Sequence, residues 1–135
     1  MSHLEMQAKC MKILNEAGRV GTDEEAIQHG KNFYKLFYVW PSSGFTGQKI
    51  LLALRIVINT YNDPETFKAY AREMVNRHIR FKMDRTLWLA FFTVLVNSLK
   101  EHTRIDEETE KAFLQIGKEF SDECLKHTIA LNLPN

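Results

Sequence analysis

The sequence predicts an all-α domain of about six helices, and three observations carry that prediction. Apolar residues recur at three- and four-residue spacing through most of the 135 residues, the period that lines one face of a helix. Helix-starting clusters, rich in Thr, Asp, Glu and Pro, precede several of these runs. No β-hairpin signal, internal repeat or low-complexity tract interrupts them. A hydrophobic fraction of 44% beside 26% charged residues is ordinary for a folded chain, and the length suits one domain over residues 1–135.

Leu4, Ala8, Met11 and Leu14 form the first helical stripe, which Gly18 and Gly21 end near Ala17. Thr22-Asp23-Glu24-Glu25 is a capping box: the Thr22 hydroxyl can accept from the Glu25 amide while the Glu25 side chain reaches back. It opens a second helix with Ile27, Gly30, Tyr34 and Phe37 on one face and Ala26, Phe33 and Tyr38 beside them. Gly30 costs about 1 kcal/mol relative to alanine in a helix, which points to a close backbone crossing. Trp40-Pro41 and the Ser-Ser-Gly44 that follows end this helix, and a third segment begins near Phe45.

The stretch from Gly47 to Tyr61 is apolar on nearly every face, so it reads as a central helix or, around Ile56-Val57-Ile58, a buried strand; its length favours helix. Asp63 and Pro64 start a fourth helix that runs through Phe67 and ends at His78, with Ile79 to Met83 as a connector. Asp84 caps a fifth helix bearing Leu87, Trp88, Phe91, Phe92, Leu95 and Leu99. Asp106-Glu107-Glu108-Thr109 opens the last, with Phe113, Ile116, Phe120 and Cys124 facing inward.

Eighteen basic against 17 acidic residues leave a formal charge of +1, so nothing electrostatic favours a nucleic-acid or membrane partner. The N-terminal residues lack a basic start and an uninterrupted apolar run, which makes a cytoplasmic location the expectation. The longest apolar run, Ile50 to Ile58, contains Arg55 and is too short to span a bilayer. Two cysteines are too few for a thiolate zinc site, so packing is the expected role of Cys10 and Cys124. The chain has no Gly-rich phosphate loop, Gly-x-Ser-x-Gly elbow or His-Glu-x-x-His pair.

His78 has two readings at this point. In one it is a histidine favoured by the negative end of its helix, without further chemistry. In the other it is an axial metal ligand whose second ring nitrogen donates to a backbone carbonyl one turn earlier, near Met74. Arg77, Arg80 and Lys82 around it are either a grip for anionic groups or a solvated cluster.

Four segments resemble the nematode myoglobin-type globins: Gly47 to Ala53, Asn76-Arg77-His78, Lys82 to Phe92, and Gly117-Lys118-Glu119-Phe120, in the family's order from about Cys10 to Pro134. The resemblance implies a haem protein that binds heme b (iron protoporphyrin IX) with His78 as the proximal iron ligand. It places Tyr34 at the distal tyrosine, whose phenol donates to the bound gas, with Phe33 as the alternative if the helix is rotated. Thr46 stands where the family's polar distal residue belongs, and Ile50 at the apolar distal position one turn on. By helical face, Leu54 is expected with Ile50 on the distal side and Met74, Phe81, Phe91 and Leu95 on the proximal side; Gly30 and Gly47 match the family's close helix crossing.

Between Tyr38 and Thr46 the family carries a further short helix and corner that this chain lacks, and with it a haem-clamping phenylalanine; Trp40 and Phe45 are the aromatic residues nearby. The implied function is reversible binding of dioxygen and other diatomic gases for storage or transport, without catalysis. A homodimer stays open. The alternatives are a haem redox protein acting on nitric oxide or peroxide, and a haemless truncated globin variant.

Overall fold

The computed structural model describes residues 1–19, 44–79, 85–100 and 103–132, and every regular element among them is a helix. In order these are α1 (His3–Arg19), α2 (Gly44–Asn59), α3 (Pro64–His78), α4 (Arg85–Lys100) and α5 (Glu107–Ala130). The expected capping box at Thr22, the helix bearing Gly30 and Tyr34, the Asp84 cap and Phe81 lie outside the described residues. The helix-or-strand ambiguity around Ile56-Val57-Ile58 resolves to helix, because α2 runs unbroken through them.

Side-chain chemistry sets two of the helix starts. Asp63 caps α3 by accepting from the Thr66 amide at 3.4 Å and the Thr66 hydroxyl at 2.7 Å, with Pro64 in the first turn, where its missing amide proton costs nothing. Asp106 caps α5 by accepting from the Thr109 amide at 2.7 Å. That bond favours the ionised form and holds the Asp106 carboxyl below the usual carboxylate range. At the other end of α5 the Leu131 amide returns to the His127 carbonyl at 2.9 Å, and Asn132 takes a left-handed φ of 57°, which asparagine tolerates.

The 24-residue α5 is the spine, packed against α1, α3 and α4, while α1 also packs on α2. Its inner face presents Phe113, Ile116, Phe120 and Cys124, as the sequence pattern predicts, with Ala112 buried beside them. Leu54, Val57 and Ile58 of α2, Phe67, Ala71 and Val75 of α3, and Trp88, Phe92, Leu95, Val96 and Leu99 of α4 complete the same core. The Phe120 ring stands edge-on to Phe67 at 5.6 Å and to Phe92 at 6.1 Å, the geometry aromatic quadrupoles prefer. Cys10 and Cys124 are free, fully buried thiols, and burial pushes both above their ordinary range, Cys10 to about 12. They pack in the core, where burial disfavours the reactive thiolate form.

The first helix corrects a sequence expectation. Leu4 is 64% exposed and Ala8 is exposed, while Met6, Cys10, Ile13 and Leu14 are buried. Both stripes have helical spacing, so periodicity alone cannot choose between them. The partners choose: α1 lies between α2 and α5, where the Arg55 guanidinium donates to the Leu14 carbonyl at 3.0 Å and to Asn15 at 2.7 Å.

Gly117 marks the closest approach of α4 to α5. A Cβ there would stand 2.2 Å from Phe92 Cγ and 2.5 Å from Phe92 Cβ, an atom tied directly to the α4 backbone. Gly117→Ala is therefore expected to destabilise the protein. Overpacking costs about 1–3 kcal/mol, and a Cβ only 2.2 Å from Phe92 Cγ puts the cost in the upper part of that range, above the roughly 1 kcal/mol gained from alanine's helix propensity. The urea unfolding midpoint reads this directly; an unchanged or raised midpoint would mean that α4 yields without cost.

Candidate functional site

Phe67, Ala71 and Val75 recur every four residues on the buried face of α3, and His78, three residues on, falls near that face in the last turn, where it is half-buried. Its Nδ1 lies 2.6 Å from the Met74 carbonyl oxygen, the contact the sequence led us to expect. A carbonyl only accepts, so Nδ1 carries the proton and the lone pair of the neutral ring sits on Nε2. The carbonyl belongs to the negative end of α3, which strengthens it as an acceptor.

The neighbouring helix supplies a second contact. Trp88, in the first turn of α4, meets the His78 ring edge-on with centroids 5.5 Å apart and planes at 77°. Trp88 is 9% exposed, and its backbone carbonyl accepts a hydrogen bond from the Ser121 hydroxyl of α5. Sequence reasoning placed Trp88 on a buried face but not beside His78; the two are ten residues apart across a connector, and periodicity does not report a contact between helices.

Side chains of α5 also hold α3 along its length. Glu123 takes an ion pair from Arg72 at 3.0 Å, the Cys124 thiol donates to the Ala71 carbonyl at 3.6 Å, and His127 Nε2 lies 3.0 Å from Asn76 Oδ1. Of the basic residues around His78, Arg77 is exposed and pairs with Glu73 of its own helix at 3.1 Å, which fits the solvated reading. Arg80 and Lys82 lie outside the described residues.

The other residues of the expected site are placed as follows. Met74 and Phe91 are half-buried against the core, with Phe91 one turn beyond Trp88 on α4. Leu54 at 1% and Leu95 at 3% exposure are covered by protein and serve the core of this structure. Helix α2 runs through positions 46 and 50, but the side chains of Thr46 and Ile50, like Tyr34 and Phe81 entirely, lie outside the described residues. His78, Met74 and Phe91, with Trp88 behind, are thus the described part of the set with surface to offer a flat apolar ligand. Among the described residues no three His, Cys, Asp or Glu side chains converge to hold a metal, and no helix is long and apolar enough to cross a membrane.

A donor set of one imidazole, with its lone pair on Nε2 and an apolar surround, suits an iron that brings its other ligands in a porphyrin. The residues present therefore fit a haem. A separate open depression of about 670 Å³, lined by His3, Tyr61, Lys111, Leu114, Lys118 and Glu119 among others, contains none of the expected site residues. There the buried Tyr61 hydroxyl donates to Glu119, and burial, followed by that bond, raises the Tyr61 pKa.

Comparison with known proteins agrees with this geometry. The Globin family model matches residues 45–124. A globin-like protein of Caenorhabditis briggsae is 36% identical over 156 aligned positions, covering 99% of this chain and 97% of the relative. That span exceeds the 135 residues here, so the relative carries residues within it that this chain lacks. A myoglobin of Ascaris suum is 34% identical over 96% of this chain and 100% of its own length. The solved structure of the Caenorhabditis elegans globin-like protein GLB-1 superposes with a TM-score of 0.87 at 32% identity, covering 100% of this chain and 99% of that one. With its helical architecture, its sequence relatives and its structural neighbour in agreement, the chain belongs to the globin family, among the nematode myoglobin-type globins.

Proposed function

We propose that this globin holds one haem b through His78 Nε2 and serves as a reversible oxygen carrier, for storage or transport rather than for turnover. The observation that carries the reading is the 2.6 Å contact between His78 Nδ1 and the Met74 carbonyl, which assigns the lone pair to Nε2 and holds the ring by its other edge. Bound there, the haem supplies the iron at which oxygen and other diatomic gases bind reversibly. The chain's own part is to present the imidazole, to cover the porphyrin with apolar side chains such as Met74 and Phe91, and to keep water from the ligand side.

The test is the absorption spectrum of purified protein reconstituted with haem, in the ferrous, oxygen-exposed and carbon monoxide-exposed states. The reading expects a Soret band that moves reversibly with each gas. A spectrum identical to that of haem mixed with an unrelated protein overturns it.

On the distal side the resemblance to nematode globins supports Tyr34 as the donor to the gas ligand. Tyr34→Phe is then expected to release oxygen about tenfold faster, the effect of losing one hydrogen bond worth roughly 1.4 kcal/mol. Stopped-flow oxygen dissociation measures this, and an unchanged rate would place the phenol elsewhere.

A further inference from the structure

The hydrogen bond to the Met74 carbonyl holds the Nδ1 edge of the His78 ring, whose torsional freedom is about its Cβ–Cγ bond. Trp88 adds a contact away from that hydrogen bond, meeting the ring in a T-shaped arrangement at 5.5 Å and 77°, which has a directional preference of its own.

Trp88 is in turn held from behind. Its indole is buried, and its backbone carbonyl accepts from Ser121, a residue with no exposed surface. One turn further along α4, Phe92 lies against Gly117 so closely that no Cβ fits between them, which leaves α4 no room to move toward α5. A continuous line of contacts therefore runs from α5 through Ser121 and Trp88 to the imidazole. We propose that Trp88 is a positioning residue for His78: keyed to α5 through Ser121, its ring biases the rotation of the imidazole about the Cβ–Cγ bond. Where the ring binds iron, which rests on the function proposed above, that rotation would orient the imidazole as a ligand and so tune the metal.

The test has one arm without haem and one with it. In the haem-free protein, nitrogen-15 NMR follows the His78 Nδ1 proton. Trp88→Leu is expected to speed its exchange with solvent by about two- to tenfold, the range one aromatic edge contact supports, while Trp88→Phe, which keeps an aromatic edge, stays close to the natural protein. In the haem-loaded ferrous protein, Trp88→Leu is expected to broaden and shift the iron–histidine stretching band in the resonance Raman spectrum, and Trp88→Phe to restore it. Val96→Ala, a cavity at a 1%-exposed position of the same helix, controls for lost packing: it should lower the thermal midpoint and leave the proton exchange and the band unmoved.

Equal effects of Val96→Ala and Trp88→Leu on the proton and the band would overturn the proposal, as would a Trp88→Leu protein that folds and shows neither change. If Trp88→Leu does not fold, Ser121→Ala decides, since faster exchange supports the line of contacts and an unchanged rate breaks it. Faster exchange in Trp88→Leu, together with no iron–histidine band even in the natural protein, would reject His78 as the iron ligand and keep Trp88 as its positioning residue.

Discussion

Haem titration of His78→Ala is expected to lose the specific one-to-one complex, whereas His127→Ala, His29→Ala and His102→Ala keep it. The apolar surround alone would still attract a porphyrin, because burying its large face is favourable without any axial bond. What disappears is the directed bond from Nε2 and, with it, the distinct Soret band and a single bound orientation. His127 is the informative comparison, since it sits on the neighbouring helix and engages Asn76, two residues from His78, so that its loss perturbs the same region without removing the ligand. Identical titrations of the natural protein and His78→Ala would reject the assignment.

The largest stability effect is expected at Phe113. Among the described residues it is the largest fully buried side chain, with no exposed surface, on the helix that packs against three others. Truncation to alanine removes the transfer free energy of the ring and leaves a cavity that four packed helices cannot close, at a cost of about 3–5 kcal/mol. For a domain of this size that corresponds to a fall in melting temperature of about ten degrees or more. Leu114→Ala, at the adjacent position but 37% exposed, should cost far less. Urea unfolding with an unchanged slope checks both; a Phe113 loss below about 1 kcal/mol would show that the α5 core refills the space.

Much of this protein was legible in its residues. The caps at Asp63 and Asp106, the proline in the first turn of α3, the inward face of α5 and the bond from His78 to the Met74 carbonyl all depend on groups within about four positions of one another. Local spacing encodes such relations directly, because one helical turn brings those groups together whatever the rest of the chain does. The family resemblance also rested on short runs, such as Asn76-Arg77-His78, that survive as local sequence.

Tertiary packing decided the remainder. Two stripes on α1 were equally periodic, and only its placement between α2 and α5 buried Met6, Cys10 and Ile13 while leaving Leu4 in solvent. Trp88 beside His78, Ser121 on the Trp88 carbonyl and Phe92 against Gly117 join residues ten or more positions apart. Periodicity states which residues share a face of one helix but carries no information about how that helix is turned toward its neighbours; that angle comes from the joint packing of side chains from several helices, so the contact of Trp88 with His78 belongs to the fold and not to any single stretch of sequence.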